Sequence, residues 1–342
     1  MKKIGFILLV VILVVVAYIG WQVFGATVRA PADKYLYVKT GADYNSVLTT
    51  LQQEKMISGT RIFNMLAKRA HYPQNVKSGR YEIKNGMSQY NLVRMLKSGN
   101  QSPVKLVINK LRTKEDLAKK IGQQFECDSL EVIRFLSSND SLQPFQLDSH
   151  TVMTTVIPNT YFFHWNGSFK KLFTRLNNEH DRFWNETRLK KAAAKNMTAA
   201  QVYSMASIVE EETNKLDDKG LIASVYINRI NKGMKLEADP TVKYAMRNFG
   251  LKRISFDHLQ YPSVYNTYRN IGLPPGPICT PSMETIEAVL DAPETNYIFF
   301  VAKPDFKGYS NFASTYTEHL VYAKQYRDAL DELIRKKAAA AK

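Results

Sequence analysis

Cysteine is nearly absent: Cys127 and Cys279 are the two among 342 residues. They lie too far apart in sequence for a redox motif and match no metal spacing, which leaves open a disulfide or two buried thiols. The six histidines, His71, His150, His164, His180, His258 and His319, include no two close enough to serve as a helical pair of metal ligands. No metal and no cofactor is expected. Long blocks of one charge are missing as well. Lys and Arg number 47 against 31 Asp and Glu, a net charge of +16, but the excess is spread along the chain. A spread excess favours polyanions in general, such as lipid headgroups, wall polymers or nucleic acid. Nucleic acid is the least favoured, because the chain carries no recognition-helix or RNA-binding signature. No internal repeat is visible.

Charge is missing altogether from Ile4 to Phe24, behind Lys2 and Lys3. At about 1.5 Å per residue this run crosses roughly 30 Å of hydrocarbon. Residues 4–24 are therefore predicted to form a transmembrane helix, with residues 1–3 as a short cytoplasmic end and 25–33 as a linker. The rival is a cleaved signal peptide, whose apolar core usually runs about 7 to 15 residues. Small residues at cleavage spacing are missing around Gly25 and Ala26, and the Val28, Ala30 pair is followed by Pro31. Lys2 and Lys3 place the amino end in the cytoplasm and the rest of the chain outside, although Arg29 and Lys34 weaken the asymmetry.

The rest reads as α+β. Residues 35–39 alternate like a strand, 43–54 and 59–70 read as short helices, and 79–83 as a second strand. This β-α-α-β order, within a module at 34–100, is the layout of a LysM-like unit, a family that binds N-acetylglucosamine-containing glycans. A small α+β linker domain without a ligand fits the pattern too. A further helix at 88–97 ends at Gly99. Residues 101–336 read as a larger mixed α+β domain, with a strand at 104–109, helices near 114–124, 129–138 and 168–194, an apolar strand at 297–302 and an amphipathic helix at 317–336. Residues 337–342 are predicted to be a disordered tail.

Three consecutive carboxylates close an apolar helical stretch, Ala206-Ser207-Ile208-Val209-Glu210-Glu211-Glu212. Thr198 with Gln201 makes a capping box that fixes the helix start, so phase can be counted. Val202, Met205, Ala206 and Val209 share a face; Glu212 falls roughly 50° from its middle, Glu210 more than about 100° away and Glu211 nearly opposite. A carboxylate at the edge of an apolar face either finds a partner or holds its proton near neutral pH. Glu212 is thus the candidate general acid, with Glu210 as a secondary candidate. The plain alternative is a solvated helix end with one edge salt bridge.

The helix that follows has Asp217 and Asp218 in its first turn and Gly233 beyond its end. Its stripe Leu221, Ile222, Val225, Tyr226 and Ile230 reads as core. Three later segments are dense in polar or special-backbone residues. Asp239-Pro240-Thr241-Val242 suits a helix start with Asp239 as cap. Tyr265-Asn266-Thr267-Tyr268 alternates phenol, amide and hydroxyl groups, as a saccharide groove would, or an ordinary loop. Gly272-Leu273-Pro274-Pro275-Gly276-Pro277 is a stiffened turn whose backbone can approach a ligand closely.

These segments, with Ser224-Val225-Tyr226-Ile227-Asn228-Arg229 and Leu236-Glu237-Ala238-Asp239-Pro240-Thr241-Val242-Lys243-Tyr244 between them, resemble in order and spacing the YceG-like endolytic murein transglycosylases, the MltG family. Pro158-Asn159-Thr160-Tyr161 and Phe299-Phe300-Val301-Ala302 extend the resemblance more loosely. Departures are Asn159 where the family usually has Asp, Thr280 and Ser282 where Asn-Pro-Gly is common, Ser310 near a frequent His, and Leu320 where Asn is usual after His319. The resemblance implies a bacterial cytoplasmic-membrane enzyme that cuts nascent peptidoglycan, with peptidoglycan synthases as implied partners. The second Glu of the family's Val-Glu-x-Glu-Thr motif is catalytic and falls on Glu212. It implies cleavage between N-acetylmuramic acid and N-acetylglucosamine with formation of 1,6-anhydro ends. Asp239, Thr241, Tyr265, Asn266, Thr267, Tyr268, Pro275 and Gly276 are the expected substrate-binding residues. A muramidase-type hydrolase using Glu212 with Asp239, and a non-catalytic wall-binding scaffold, are the rival readings.

Overall fold

The computed structural model describes residues 2–340. The uncharged run forms α1 (Lys2–Phe24), whose apolar side chains stand exposed along most of its length. Over Lys3–Phe24 its mean hydropathy is 2.9, so this helix is long and apolar enough to cross a membrane. The chain then divides into two compact units. One comprises the residues through Leu106 with Gly122–Asp128 and Tyr161–Ser168; the other comprises Val107–Ile121, Ser129–Thr160 and the chain from Phe169 on.

In the first unit the expected β-α-α-β order is present as β1 (Tyr35–Val38), α2 (Tyr44–Gln53), α3 (Thr60–Arg69) and β2 (Gly79–Glu82), followed by α4 (Gln89–Ser98). β1 and β2 are antiparallel, with Tyr35 opposite Glu82 and Val38 opposite Gly79. Asp43 and Ser88 cap α2 and α4, and Gly99 ends α4 in the left-handed region at φ 73°. Leu36, Val47, Leu51, Phe63, Tyr81 and Leu92 fill the core.

Two features differ from the sequence reading. Residues expected to form a short linker are stitched to the module: Val28 N donates to Met87 O, Arg29 N to Met56 O and Ala30 N to Asn85 Oδ1. Two segments assigned to the larger domain also belong to this unit. Glu126 accepts from Thr40 N and Oγ1 at 2.7 and 2.6 Å, and Trp165 meets the Tyr37 ring edge-on. Both are tertiary contacts of high sequence separation, which periodicity does not encode.

Beyond α4 come β3 (Val104–Val107), α5 (Lys114–Gln124), α6 (Ser129–Ser137), the short α7 (Asn139–Leu142) and β4 (Thr160–Phe163), which pairs with β3. The chain continues through α8 (Phe169–Phe183), α9 (Glu186–Ala194), α10 (Ala199–Glu212), α11 (Leu216–Asn231), α12 (Asp239–Ala245), α13 (Phe256–Leu259) and α14 (Met283–Leu290), then the antiparallel pair β5 (Phe299–Ala302) and β6 (Ser310–Ala313), and α15 (Tyr316–Ala340). The architecture is mixed α+β. α15 runs past Lys336, where the sequence reading ended it. The Lys-Lys-Ala-Ala-Ala stretch from 336 to 340 consists of strong helix formers. Residues 341 and 342 lie outside the described residues.

α10 is the centre of the second unit and carries the capping box: Thr198 Oγ1 accepts from Gln201 N and Gln201 Oε1 from Thr198 N. It was expected to bury one face. Instead every residue from Val202 to Val209 is buried, because α11 and α14, with α9 and α12, pack around it. Its inward Ser207 is satisfied within the protein. Ser207 Oγ donates to Ser204 O and accepts from Ile278 N, while Cys279 Sγ contacts Ser207 O, so the proline-rich loop is fastened to α10. Cys127 and Cys279 are both buried, with no disulfide between them.

Candidate active site

α10 ends in three half-buried carboxylates, and their partners differ. Glu211 faces two cations: Arg112 grips it with Nε and Nη2, both at 3.1 Å, and Lys110 Nζ lies 3.0 Å away. Glu210, on the opposite side of the helix end, pairs with Lys219 Nζ at 2.9 Å and accepts from Ser282 Oγ and Thr285 Oγ1. Burial alone would raise the Glu210 carboxyl. The hydrogen bonds from Thr285 and Lys219, with the Lys219 charge, bring it below its ordinary value. Glu210 thus sits in a side-chain network that favours its ionised form, unlike the proton-holding carboxyl that a general acid needs.

Glu212 has no such cation bound to it among the described residues. Its Oε1 accepts a single hydrogen bond at 2.8 Å, from the Tyr226 hydroxyl. Burial pushes its carboxyl up to about 7; the Tyr226 bond and the more distant Lys243 charge oppose this, while Asp239 and Glu211 add to it. A carboxylic acid that keeps its proton near neutrality and opens on the surface fits the demands of general-acid chemistry. Burial and the Glu212 charge push the Tyr226 phenol well above its ordinary value, so it stays a donor.

α12 and the segment 265–268 form the neighbouring wall. α12 begins one residue earlier than expected: the N-cap is Ala238, Asp239 is the first helical residue and caps nothing, and Pro240 is the second. Its carboxylate is exposed and accepts from the Tyr268 hydroxyl at 2.7 Å. Thr241 and Thr267 are buried. Their hydroxyls lie 2.9 Å apart, Thr241 Oγ1 donates to Ala238 O, and Thr267 Oγ1 accepts from Ala238 N. Asn266 is buried too: its amide donates to Leu259 O and Tyr261 O and accepts from Tyr268 N. These three polar groups are consumed by the protein, so they position the wall and do not face a ligand. Tyr265 is half-buried, its ring 4.7 Å from that of Tyr244 and its hydroxyl 3.3 Å from His150 Nδ1. Pro275 is exposed. Gly276 does permit a close backbone approach, but to protein: a Cβ there would overlap the His150 carbonyl.

The structure therefore gathers Glu212, Tyr226, Asp239 and Tyr268, with Lys243 close enough to act on Glu212. Tyr226, read from sequence as core, was missed as the partner of Glu212; so were Lys110, Arg112 and Lys219, whose charges neutralise the neighbours of Glu212, and Thr285, which donates to Glu210. A hollow of about 380 Å³ lined by Asn159, Lys110, Glu210, Thr280 and Ser282 lies beside the end of α10. Thr280 and Ser282, where the sequence departs from the family pattern, are structural: Thr280 bonds Asn109 O and Leu111 N, and Ser282 caps α14.

An α+β unit with an acid of raised pKa at the end of its central helix defines a class of candidate acid–base enzyme. The sequence model of the YceG-like family matches residues 36–325, and the chain belongs to that family. Among similar proteins, the endolytic murein transglycosylase of Bacillus subtilis (strain 168) is 24% identical over 339 residues, which is 92% of this chain and 92% of that protein. That of Streptococcus pneumoniae serotype 2 is 26% identical over 336 residues, 87% of this chain. The chain spans 60% of the length of the streptococcal relative. A crystal structure of a yceG-like protein from Listeria monocytogenes superposes with a TM-score of 0.56 at 26% identity, covering 84% of this chain and 98% of that one.

Proposed function

We propose that this chain is a membrane-anchored lytic transglycosylase that cuts peptidoglycan glycan strands between N-acetylmuramic acid and N-acetylglucosamine. The observation that carries the reading is the electrostatic isolation of Glu212. Of the three carboxylates on α10 it alone lacks a bound cation among the described residues, and its carboxyl is pushed up to about 7. Family membership and the names of the relatives supply the substrate class.

Protonated Glu212 donates to the glycosidic oxygen as its bond to C1 of the muramic acid breaks, and an oxocarbenium-like state develops. The resulting carboxylate then takes the proton from O6 of the same sugar, and O6 closes on C1. The products are a 1,6-anhydro end and a free 4-hydroxyl; no water is consumed and Glu212 regains its proton. Tyr226 stabilises the carboxylate in the interval. Asp239, tied to Tyr268, holds the groove wall and contributes negative charge near the oxocarbenium. Tyr265, Tyr268 and Pro275 present the faces on which sugar rings rest.

α1 anchors the chain with Lys2 and Lys3 on the cytoplasmic side, the first unit serves as a LysM-like glycan-binding module, and peptidoglycan synthases that make the strand are its working partners. Mass spectrometry of strands digested by the full chain in detergent tests the reading. Anhydro ends, one water lighter than reducing ends, are expected. Reducing ends would instead identify a hydrolase with Asp239 in a second carboxylate role.

A further inference from the structure

The first unit carries a cationic groove that the glycan chemistry leaves unused. Between α3 and α4 lies a hollow of about 270 Å³ lined by Leu66, Ala70 and Val93 along its floor and by Arg69, Arg94 and Lys97 on its rim. Arg94 also lines a second hollow of about 610 Å³ on the other side of α4, together with Lys84 and Asn91. Arg69, Lys84, Arg94 and Lys97 take part in no ion pair among the described residues. Between Glu82 and Glu115 the chain contains no Asp or Glu at all. The rim is thus positive without local compensation, above an apolar floor.

Its depth is fixed by α1. Tyr90, on the same face of α4 as Val93, Arg94 and Lys97, also lines the smaller hollow. Its ring lies 5.6 Å from that of Phe24, the last residue of α1. Trp21 and Tyr18 are exposed about one and two turns earlier on that helix, the arrangement of an aromatic belt at the membrane–water boundary. Val28 and Met87 form a backbone bridge that ties the chain leaving α1 to the start of α4. α4 therefore rides at the level where lipid phosphates sit. Apolar floor, cationic rim and interfacial depth together match one ligand chemistry.

The geometry points to a binding site for the phosphate of an anionic lipid headgroup in the α3–α4 groove, with Arg94 and Lys97 as its principal cations and Arg69 flanking them. The glycerol and first acyl carbons lie on Leu66, Ala70 and Val93. This site rests on the reading of α1 as a membrane anchor. It would hold the first unit flat against the bilayer surface and limit how far from the membrane a glycan strand bound to that unit can lie.

The test uses the full chain in nanodiscs of phosphatidylcholine with a minor share of phosphatidylglycerol, and native mass spectrometry counts the lipids that stay bound as the bilayer is stripped. Wild type is expected to retain phosphatidylglycerol in preference to phosphatidylcholine. Arg94→Glu with Lys97→Glu should reduce that retention about tenfold or more, Arg94→Gln with Lys97→Gln should reduce it less, and Lys336→Glu with Lys337→Glu on α15 should leave it unchanged. Both α4 positions are exposed, so thermal denaturation should show the variants folded. Equal retention of the two lipids by wild type, or no effect of the α4 charge reversals, would overturn the site. Displacement of the lipid by inorganic phosphate would reassign it to a free anion and overturn the lipid assignment. A chain released from vesicles by alkaline carbonate would overturn the anchor itself, a separate outcome from a chain that stays embedded without lipid preference.

Discussion

The Tyr226 hydroxyl donates to Glu212 Oε1 across 2.8 Å, from the middle of α11 to the last residue of α10. Because the bond favours the carboxylate, its removal should raise the Glu212 pKa further. Tyr226→Phe is therefore expected to move the upper limb of the pH profile of kcat/KM to higher pH by about one unit, the effect of losing roughly 1.5 kcal/mol from one hydrogen bond to a charged group. A limb that stays in place, or moves to lower pH, would show that Glu212 is not the group reporting in that limb.

The same carboxyl links activity to stability. A carboxyl raised from 4.5 to about 7 in the folded chain binds its proton more tightly there than in the unfolded chain. Between those values stability falls as pH rises, and above the upper value the full penalty is present. Glu212→Gln should thus be more stable than wild type at pH 8, by up to about 2 kcal/mol after allowance for solvent screening. That corresponds to a Tm gain of roughly 4 to 8 °C. The gain should vanish below pH 4.5. Thermal scans of both proteins across this range would contradict the account if the difference were independent of pH.

The Glu210 network makes the opposite prediction. Its ion pair is nearly closed to solvent, with Lys219 and Glu210 side chains 9% and 15% exposed. Lys219→Met leaves a buried carboxylate without its cation and should cost about 3 kcal/mol. Since the Glu210 carboxyl is lowered in the folded chain, its contribution is present above the unfolded pKa and is lost as pH falls through the folded one. The loss in Lys219→Met should consequently shrink toward acid pH, as chemical denaturation at a series of pH values would reveal.

Much of this arrangement is written locally. The capping box of Thr198 and Gln201 sets the phase of α10, and Pro240 and Gly99 mark a helix start and a helix end through their own backbone preferences. What makes Glu212 different from Glu210 and Glu211 is not local. The cations that neutralise the other two come from Arg112 and Lys110, about a hundred positions earlier, and from Lys219 on the next helix. Phase counting selected Glu212 for an apolar face, but α10 turned out to be enclosed on all sides, so its isolation comes from partners and not from amphipathicity. The polar run Tyr265 to Tyr268 shows the converse. Its alternation suggested a ligand surface, whereas Asn266 and Thr267 point inward to satisfy backbone groups of neighbouring segments, at Leu259, Tyr261 and Ala238. Composition alone does not distinguish these two uses of a polar side chain.

The proline-rich turn supplies a steric prediction. Gly276 packs against the His150 carbonyl, with the Tyr265 hydroxyl also within reach of an added Cβ. Gly276→Ala must displace backbone, at a cost of about 1 to 3 kcal/mol, and it should disturb Tyr265. The expected outcome is a lower Tm together with a raised KM for glycan strands. Gly272→Ala, where a Cβ meets nothing but φ is 84°, should lower Tm by backbone strain and leave KM unchanged.

The central claim is that one of three adjacent carboxylates is the proton donor, and it is tested most directly by comparing Glu210→Gln, Glu211→Gln and Glu212→Gln in strand cleavage, each normalised to folded protein. Glu212→Gln is expected to lose at least about a hundredfold in rate, while the other two retain cleavage in proportion to their folded fraction. Cleavage by folded Glu212→Gln at the wild-type rate would contradict the account.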